Sequence, residues 1–403
     1  MKKLIGKIIF LSLFTILVSA EKTELLTLDF EHLQYAKTQV GRKDEALYPA
    51  YRYLLKIADE ALTEGPWSVM DKPVTPPSGD KHDYMSLSPY WWPDPEKADG
   101  LPYIRRDGEV NPEREKFDKR SFVHVHENAL VLAIAYYFSG KEKYAKKSAG
   151  LLRTWFINEN TKMNPNLNFG QGVPGKEPGR GVGLIEMKNL IDVLDAIILI
   201  KDSRYWTGND QKQMDQWLKD YFRWMQTSPI AKEEQEHKNN HGSWFDVQYA
   251  HIAYYLGEYE EAKRILSAFP KERIAHQVKT DGSQPYELER TRAFTYSLFN
   301  LRAHMLAAEL GKKLNIDIYN YTTSEGAGIR KAIEFLVPYA TDTAKWPYRQ
   351  ITSWQKGFND LYLVLKSAAR AYDDDGFEKT AVHIPVEKQR AFLVDLLYPS
   401  MKK

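Results

Sequence analysis

Cysteine is absent from the 403-residue sequence, and long apolar runs are scarce. The missing cysteine excludes disulfide bonds, thiolate zinc sites and a thiol nucleophile. The best apolar run covers residues 8–18, after lysines at positions 2, 3 and 7 and before Ser19 and Ala20. Because this run is shorter than the ~20 residues that span a bilayer, it predicts a signal peptide over residues 1–20 rather than a membrane anchor. We therefore expect a periplasmic or secreted protein, with no cysteine for lipid attachment and no contact with a membrane after cleavage.

An excess of either charge is also lacking. The sequence has 56 lysines and arginines against 54 acidic residues. Without the three lysines of the predicted signal peptide, 53 basic residues remain against 54 acidic ones, and the formal charge is −1. No global basic field is left to attract nucleic acid. If the substrate is anionic, its positive partners must be gathered locally in a cleft.

Strand-like alternation is rare, whereas apolar residues recur at the helical spacings of three and four. The pattern predicts helices over 45–63, 126–139, 142–157, 184–200, 209–226, 244–256, 285–311, 326–338 and 355–372. Two of these helices end at glycines, Gly140 and Gly257, and a second helix is expected soon after each. A weaker copy of the same pattern ends at Gly311. Repeated helical hairpins predict an all-α protein, either an open solenoid or a closed α/α toroid.

Two long loops favour the toroid. Residues 66–118 and 158–183 are rich in Pro, Gly and Trp, and unstructured loops of this length usually carry function. A toroid gives them a common end on which to build a cleft. No linker rich in Ser, Gly or charge divides the chain, so we expect one catalytic domain over residues 21–403 and a monomer.

The sharpest motif is KNNHGSW at residues 238–244, just before a helical run. An asparagine amide there can hold a substrate carboxylate while a neutral histidine ring beside it takes a proton. The structural alternative is that Asn caps the helix and His241 satisfies a backbone carbonyl.

A second motif, ELERTRAFTY, covers residues 287–296. On a continuous helix, Arg292 and Tyr296 are four residues apart and share a face, whereas Arg290 lies to one side. A cation beside a phenol lowers the phenol's pKa from about 10, so the tyrosine can both remove and donate protons. The structural alternative pairs Glu289 with Arg292 and leaves Tyr296 to pack.

The two motifs together suit β-elimination of a 4-linked uronic acid. The C5 proton is weakly acidic until the neighbouring carboxylate is neutralised, and then a base removes it and an acid protonates the departing O4. Asn240, His241, Arg292 and Tyr296 provide these groups, so we expect neither a metal nor a cofactor.

Further motifs accompany these two in order along the chain: HDYMS at 82–86, YWWPDP at 90–95, DGLPY at 99–103, RDG at 106–108 and MNPNL at 163–167. Together they resemble the alginate lyase domain family of bacterial polysaccharide lyases over about residues 65–370. The resemblance implies an incomplete α/α toroid whose active site matches Asn240, His241, Tyr296 and either Arg290 or Arg292.

Two features depart from the family pattern. The family's Arg and Tyr are spaced one residue further apart, so the arginine is ambiguous, and helical geometry favours Arg292. An aromatic residue is common after the histidine, where this chain has Gly242 and Ser243. These departures indicate a divergent member.

Stereochemistry assigns the roles. In mannuronate and glucuronate the C5 proton and O4 lie on one side of the ring, so Tyr296 can act as base and then as acid. In guluronate they lie on opposite sides, and a second group is needed. His241 is the alternative base, or a partner of the substrate carboxylate. We expect an anionic polysaccharide substrate, first mannuronate-rich alginate and second glucuronan.

Other residues are candidates for substrate binding, although loop aromatics also plug toroid ends and surface arginines are common. The candidates are Asn239, Arg290, Gln171, Tyr90, Trp91, Trp92, Arg106, Arg180, His82, Trp346 and Arg349.

Two other classes of function compete. A glycoside hydrolase on the same architecture needs two facing carboxylates, for which Asp83, Glu127, Glu186 and Asp246 are available. A non-catalytic glycan-binding protein would use the aromatic loop and not Tyr296.

Overall fold

The computed structural model describes residues 24–401, so the predicted signal peptide lies outside the described residues. Helices dominate. They are α1 (Phe30–Gly41), α2 (Leu47–Ala61), α3 (Asp118–Ser139), α4 (Glu142–Leu152), α5 (Leu190–Ile200), α6 (Gly208–Thr227), α7 (Pro229–Glu236), α8 (Asn240–Tyr255), α9 (Tyr259–Phe269), α10 (Ala275–Gln277), α11 (Pro285–Leu288), α12 (Ala293–Lys313), α13 (Ile329–Thr341), α14 (Gln355–Ala371), α15 (Asp375–Ala381) and α16 (Lys388–Leu397). The short strands are β1 (Met85–Leu87), β2 (Trp91–Trp92), β3 (Ile104–Arg105) and β4 (Phe169–Gly172).

Helical hairpins form where the glycine pattern predicts them. Helix α3 ends at Gly140, whose φ of 67° lies in the left-handed region, and α4 follows and packs against α3. Gly257, with φ 81°, lies in the same way between α8 and α9. Left-handed backbone is open to glycine at little steric cost, which is why these positions end helices. The prediction that a third helix ends at Gly311 is wrong, because α12 runs through Gly311 to Lys313.

The first and last helices of the described chain pack against each other, and both pack against α2. Helix α16 packs against both α2 and α14, and α1 packs against α2 and α16. The segment before α1 is fixed to α5, since the Asp195 carboxylate accepts backbone N–H bonds from Leu26, Thr27 and Leu28 at 2.6, 2.9 and 3.1 Å. The helices therefore follow a curved path that returns toward its start.

The long loops meet on one side of the helices. Strand β1 pairs in parallel with β4, which joins the loop after α2 to the loop after α4. Strand β2 pairs with β3 in antiparallel fashion, with Trp91 opposite Arg105. Asp83 ties the same loops together, because its carboxylate accepts bonds from the amides of Asn164 and Asn166 at 2.9 and 3.1 Å. The two loops thus form one surface at the ends of the helices, here called the loop wall.

One predicted helix is interrupted. Residues 285–311 were expected to be continuous, but α11 ends at Leu288 and α12 begins at Ala293. Between them, Arg292 forms a β-bridge with Gln350, and the N–H groups of Ala293 and Ile351 bond to the carbonyls of Arg349 and Thr291. Pairing with a distant segment therefore replaces the helical hydrogen bonds at this point.

Among residues 24–401, every helix is too short or too polar to cross a membrane.

Candidate active site

A cleft of about 570 Å³ lies between the loop wall and the starts of α8 and α12. Both sequence motifs contribute to it: Asn239, Asn240 and His241 on one side, and Arg290, Arg292 and Tyr296 on the other. The sequence separates these two groups by about fifty residues, and the packing of α8 against α12 brings them together.

Asn240 is fully buried at the first turn of α8. Its side-chain Nδ2 donates to Oε2 of Glu287 at 2.7 Å, and its backbone N–H donates to Oε1 of the same residue at 2.9 Å. An amide nitrogen has two hydrogens, so one remains for a ligand. The capping alternative is partly right as well, since the side chain of Asn239 caps α8 by accepting the N–H of His241.

Glu287 is a buried carboxyl that the sequence did not single out. Burial raises its pKa to about 7, against the opposing effect of the two bonds from Asn240 and the charge of Arg290. A carboxyl in this position titrates near neutral pH, directly behind the amide that faces the cleft.

His241 rests on a second buried carboxyl. Its Nδ1 lies 2.7 Å from Oε1 of Glu234, which has no exposed surface, while the histidine side chain is 17% exposed toward the cleft. Glu234 belongs to α7, a helix that the apolar pattern did not predict, and so the sequence analysis missed this contact.

Tyr296 lies at the centre of a polar network. Its hydroxyl is 2.8 Å from the hydroxyl of Tyr90 and accepts a bond from Nη2 of Arg290 at 3.0 Å. The Arg290 guanidinium lies over the Tyr296 ring, 4.0 Å from its centroid, and its Nη2 pairs with Asp107 at 2.8 Å. Burial alone would raise the pKa of Asp107, but bonds from Arg290 and Thr291 hold it well below its usual range.

The arginine next to the phenol is Arg290, and the geometric argument for Arg292 fails. Arg292 precedes α12 with non-helical backbone, so it does not share a helical face with Tyr296. Its guanidinium instead donates to the carbonyl of Gly108 and lies 5.6 Å from the centroid of the Tyr90 ring.

The pKa of Tyr296 is raised, contrary to the expectation of a lowered one. Burial is the largest cause and Tyr90 adds to it, while the charge of Arg290 opposes both without overcoming them. The phenol is therefore protonated at neutral pH in the free protein, ready to act as an acid, and Arg290 is placed to stabilise it when it ionises.

Positive charge is concentrated in the cleft, as an anionic substrate would require. Lysines and arginines that the sequence analysis did not select contribute to it. They are Arg114, Lys119, Lys188 and Lys356. Burial, together with the charge of Lys119, lowers the pKa of Lys188 to about 7.

Several predicted binding residues also line the cleft: Tyr90, Trp91, Gln171, Arg180 and Asn239. Lys176 and Arg180 lie 4.3 and 5.8 Å from the centroid of the Trp91 ring, which makes this aromatic part of a cationic wall. Gln171 is buried, and its backbone N–H is fixed by the Ser86 hydroxyl at 2.7 Å.

Other predicted binding residues lie elsewhere. Trp346 is buried among the rings of Phe294 and Tyr339, so it belongs to the core. The indole of Trp92 donates to the carbonyl of Glu109 and packs under Arg106. The ring of His82 bonds to the carbonyl of Lys162, and Arg349 is exposed beside α12, to which its carbonyl bonds.

The carboxylates that a hydrolase would need are dispersed. Asp83 joins the loops, and Asp246 forms a buried ion pair with Arg273 at 2.7 Å. Glu127 lines a separate cavity of about 520 Å³, and Glu186, which does line the cleft, accepts a bond from the Tyr84 hydroxyl at 2.8 Å. This arrangement disfavours a pair of acids facing one bond.

The chain matches the family model for alginate lyase over residues 68–346. An alginate lyase from Bacteroides ovatus is 41% identical, with a TM-score of 0.90, covering 93% of this chain and 99% of the other. Alginate lyase A1-III from Sphingomonas species A1 is 16% identical, with a TM-score of 0.57 and coverage of 92% and 95%.

A variant of A1-III in complex with a tetrasaccharide is 15% identical, with a TM-score of 0.63 and coverage of 95% and 97%. No similar protein was found among curated proteins. The predicted α/α toroid is confirmed by these structural matches. Since the family match spans more than half of the sequence and the Bacteroides ovatus enzyme is similar over nearly its full length, this chain belongs to the alginate lyase family of polysaccharide lyases.

Proposed function

We propose that this lyase cleaves β-1,4-linked uronans, first of all mannuronate-rich alginate, by β-elimination without a metal. The observation that carries the proposal is the Tyr296 hydroxyl, which shares one cationic cleft with Asn240 and His241 and accepts a bond from Arg290 at 3.0 Å. Acid, base and carboxylate partners are thus present together.

The first requirement is to neutralise the uronate carboxylate. Asn240 offers its second amide hydrogen, and the His241 ring stands beside it on α8. The hydrogen bond from this amide strengthens as charge moves from C5 onto the carboxylate, so it stabilises the transition state more than the ground state.

The proton transfers then fall to Tyr296. In a mannuronate the C5 hydrogen and O4 share a face, so the Tyr296 phenol, after it has lost its own proton, can take the C5 proton and return it to the leaving oxygen. Arg290 stabilises the ionised phenol, with Asp107 holding the guanidinium in place. The products are a chain with a new reducing end and a chain ending in a 4,5-unsaturated uronate. For an anti elimination, His241 is the base on the opposite side.

Glucuronan is the second candidate substrate, because it offers the same syn geometry and differs from polymannuronate only at C2. We also propose that the chain is exported through its first twenty residues and works as a single catalytic domain and a monomer.

The test is ultraviolet absorbance of the purified protein with polymannuronate, polyguluronate, glucuronan and a neutral glucan, each with a chelator present. A new C4–C5 double bond conjugated to the carboxylate absorbs, whereas hydrolysis creates none. The proposal expects a rise on polymannuronate that the chelator does not change. New reducing ends without absorbance, or silence on all four polymers, would overturn it.

A further inference from the structure

We propose that Glu234 is a positioning residue that fixes the orientation and tautomer of the His241 ring, so that Nε2 is the ring nitrogen presented to the substrate. The role of His241 at the substrate rests on the proposed function of the cleft. The contact between the Glu234 and His241 side chains is independent of that proposed function.

The contact is close and shielded from water. Oε1 of Glu234 lies 2.7 Å from Nδ1 of His241, and the glutamate side chain has no exposed surface. The two residues come from successive helices, α7 and α8. The histidine is held from its backbone as well, because its N–H donates to Oδ1 of Asn239 at 3.2 Å.

The chemistry of the pair sets the tautomer. An ionised carboxylate only accepts hydrogen bonds, so Nδ1 must carry a hydrogen. In the neutral ring, Nε2 then holds the lone pair on the other side. A buried carboxylate that orients a catalytic histidine in this way works through the histidine and does not touch the substrate.

No second group competes for Glu234 among residues 24–401. Its Oε2 has no hydrogen-bond partner there, and Nε2 of His237 is 3.9 Å away, beyond hydrogen-bond distance. Burial lowers the pKa of His237, which disfavours its charged form beside Glu234. The hydrogen bond to His241 is therefore the main contact of this buried carboxyl.

The first test is nitrogen-15 NMR of the protein labelled at histidine, without substrate, at a pH where the ring is neutral. A His241→Gln variant assigns the signals. The proposal expects a protonated Nδ1 and a bare Nε2. A protonated Nε2 with a bare Nδ1 would overturn it, because Glu234 would then be a neutral acid that donates to the ring.

The second test is kinetic. Glu234→Gln replaces the carboxylate with an amide that can donate or accept, so the tautomer preference weakens. We expect kcat to fall roughly 10- to 100-fold with a much smaller change in KM. A kcat within about twofold of wild type would contradict the proposal.

A matched control separates positioning from folding. Glu233→Gln changes the neighbouring glutamate on α7, which is exposed and bonds to the backbone N–H of Gly181 at 3.2 Å. It should keep wild-type kcat, and both variants should keep a cooperative thermal unfolding transition. If no uronan is cleaved, the proposed function fails, but the NMR result still decides the role of Glu234.

Discussion

Two adjacent residues of α8, Asn240 and His241, are each backed by a different buried glutamate. Glu287 accepts two bonds from Asn240, and Glu234 contacts the His241 ring. Each of the two side chains is therefore held in its own orientation, although the residues are adjacent in the sequence. These four side chains come from three helices, α7, α8 and α11.

Tyr296→Phe removes the hydroxyl that we assign as acid and base. We expect kcat on polymannuronate to fall roughly 100- to 10,000-fold, because general acid–base catalysis contributes about that much, while KM stays within a few-fold. Tyr90→Phe is the matched control, since it removes the hydroxyl 2.8 Å away and leaves Tyr296 in place. Equal losses in the two variants would argue against the special role of Tyr296.

Arg290→Lys keeps a positive charge but loses the planar fork that bridges Tyr296 and Asp107. We expect a fall in kcat of roughly 10-fold or more, and a smaller one for Arg292→Lys, whose guanidinium donates to the Gly108 carbonyl. Initial rates of absorbance on polymannuronate measure both. A larger loss for Arg292→Lys would instead favour Arg292, the arginine that helical spacing suggested, as the partner of Tyr296.

Glu287 should make stability depend on pH. Its pKa is about 7 in the folded protein, raised from 4.5, so its contribution is fully present below pH 4.5 and is lost as the pH rises through 7. The loss is at most about 3 kcal/mol, from 1.36 kcal/mol for each pKa unit. Glu287→Gln does not ionise, so its free energy of unfolding relative to wild type should rise across this window. Denaturant unfolding at pH 4.5 and pH 7.5 measures the difference, and a constant difference would contradict the account.

The residue types in each short motif could be read from the sequence, but the buried residues that hold their side chains in place could not. The Asn240-His241 string and Tyr296 do meet in one cleft, as the two motifs together suggested. Glu234 and Glu287 carry no local signal, because a buried glutamate at a helix position looks the same in sequence as an exposed one. Trp346 was misplaced for a related reason: a tryptophan in a loop can pack into the core as well as line a cleft.

At the scale of elements, the start of α8 is packed too closely for a side chain at Gly242. A Cβ built there would lie 2.2 Å from the His237 carbonyl oxygen and 2.3 Å from the Arg273 guanidinium. This close approach accounts for a glycine at position 242. A larger residue would displace the segment between α7 and α8.

Gly242→Ala should therefore lower the free energy of unfolding by about 1–3 kcal/mol, which is typical of overpacking. Gly208→Ala is the control: it also lies in the first turn of a helix, but a Cβ there meets nothing within 4 Å. That variant should be neutral or slightly more stable. Thermal unfolding of both variants makes the comparison. Equal Tm values would show that the start of α8 accommodates the added methyl group without loss of stability.

The break between α11 and α12 explains why helical spacing predicted Arg292, and not Arg290, beside the Tyr296 phenol. Apolar residues continue at helical spacing through this stretch, so the sequence pattern shows no interruption. The chain leaves the helix because residues 291–293 bond to residues 349–351, more than fifty positions away. Such pairing is a tertiary effect and is not encoded in local periodicity.

At the scale of the whole molecule, the hairpin repeats and the two long loops were sufficient to predict the toroid and the side on which the cleft forms. The predicted loops do meet, through the pairing of β1 with β4. The approach of α16 to α2 was not foreseen, because neither α1 nor α16 was predicted and their positions depend on packing with other helices.

The central claim is cleavage by elimination, and one measurement tests it most directly. Polymannuronate is digested with the wild-type protein, and new double bonds and new reducing ends are counted in the same samples over time. The account predicts one double bond for each new reducing end throughout the digestion. Reducing ends that accumulate without double bonds would mean hydrolysis and would contradict it.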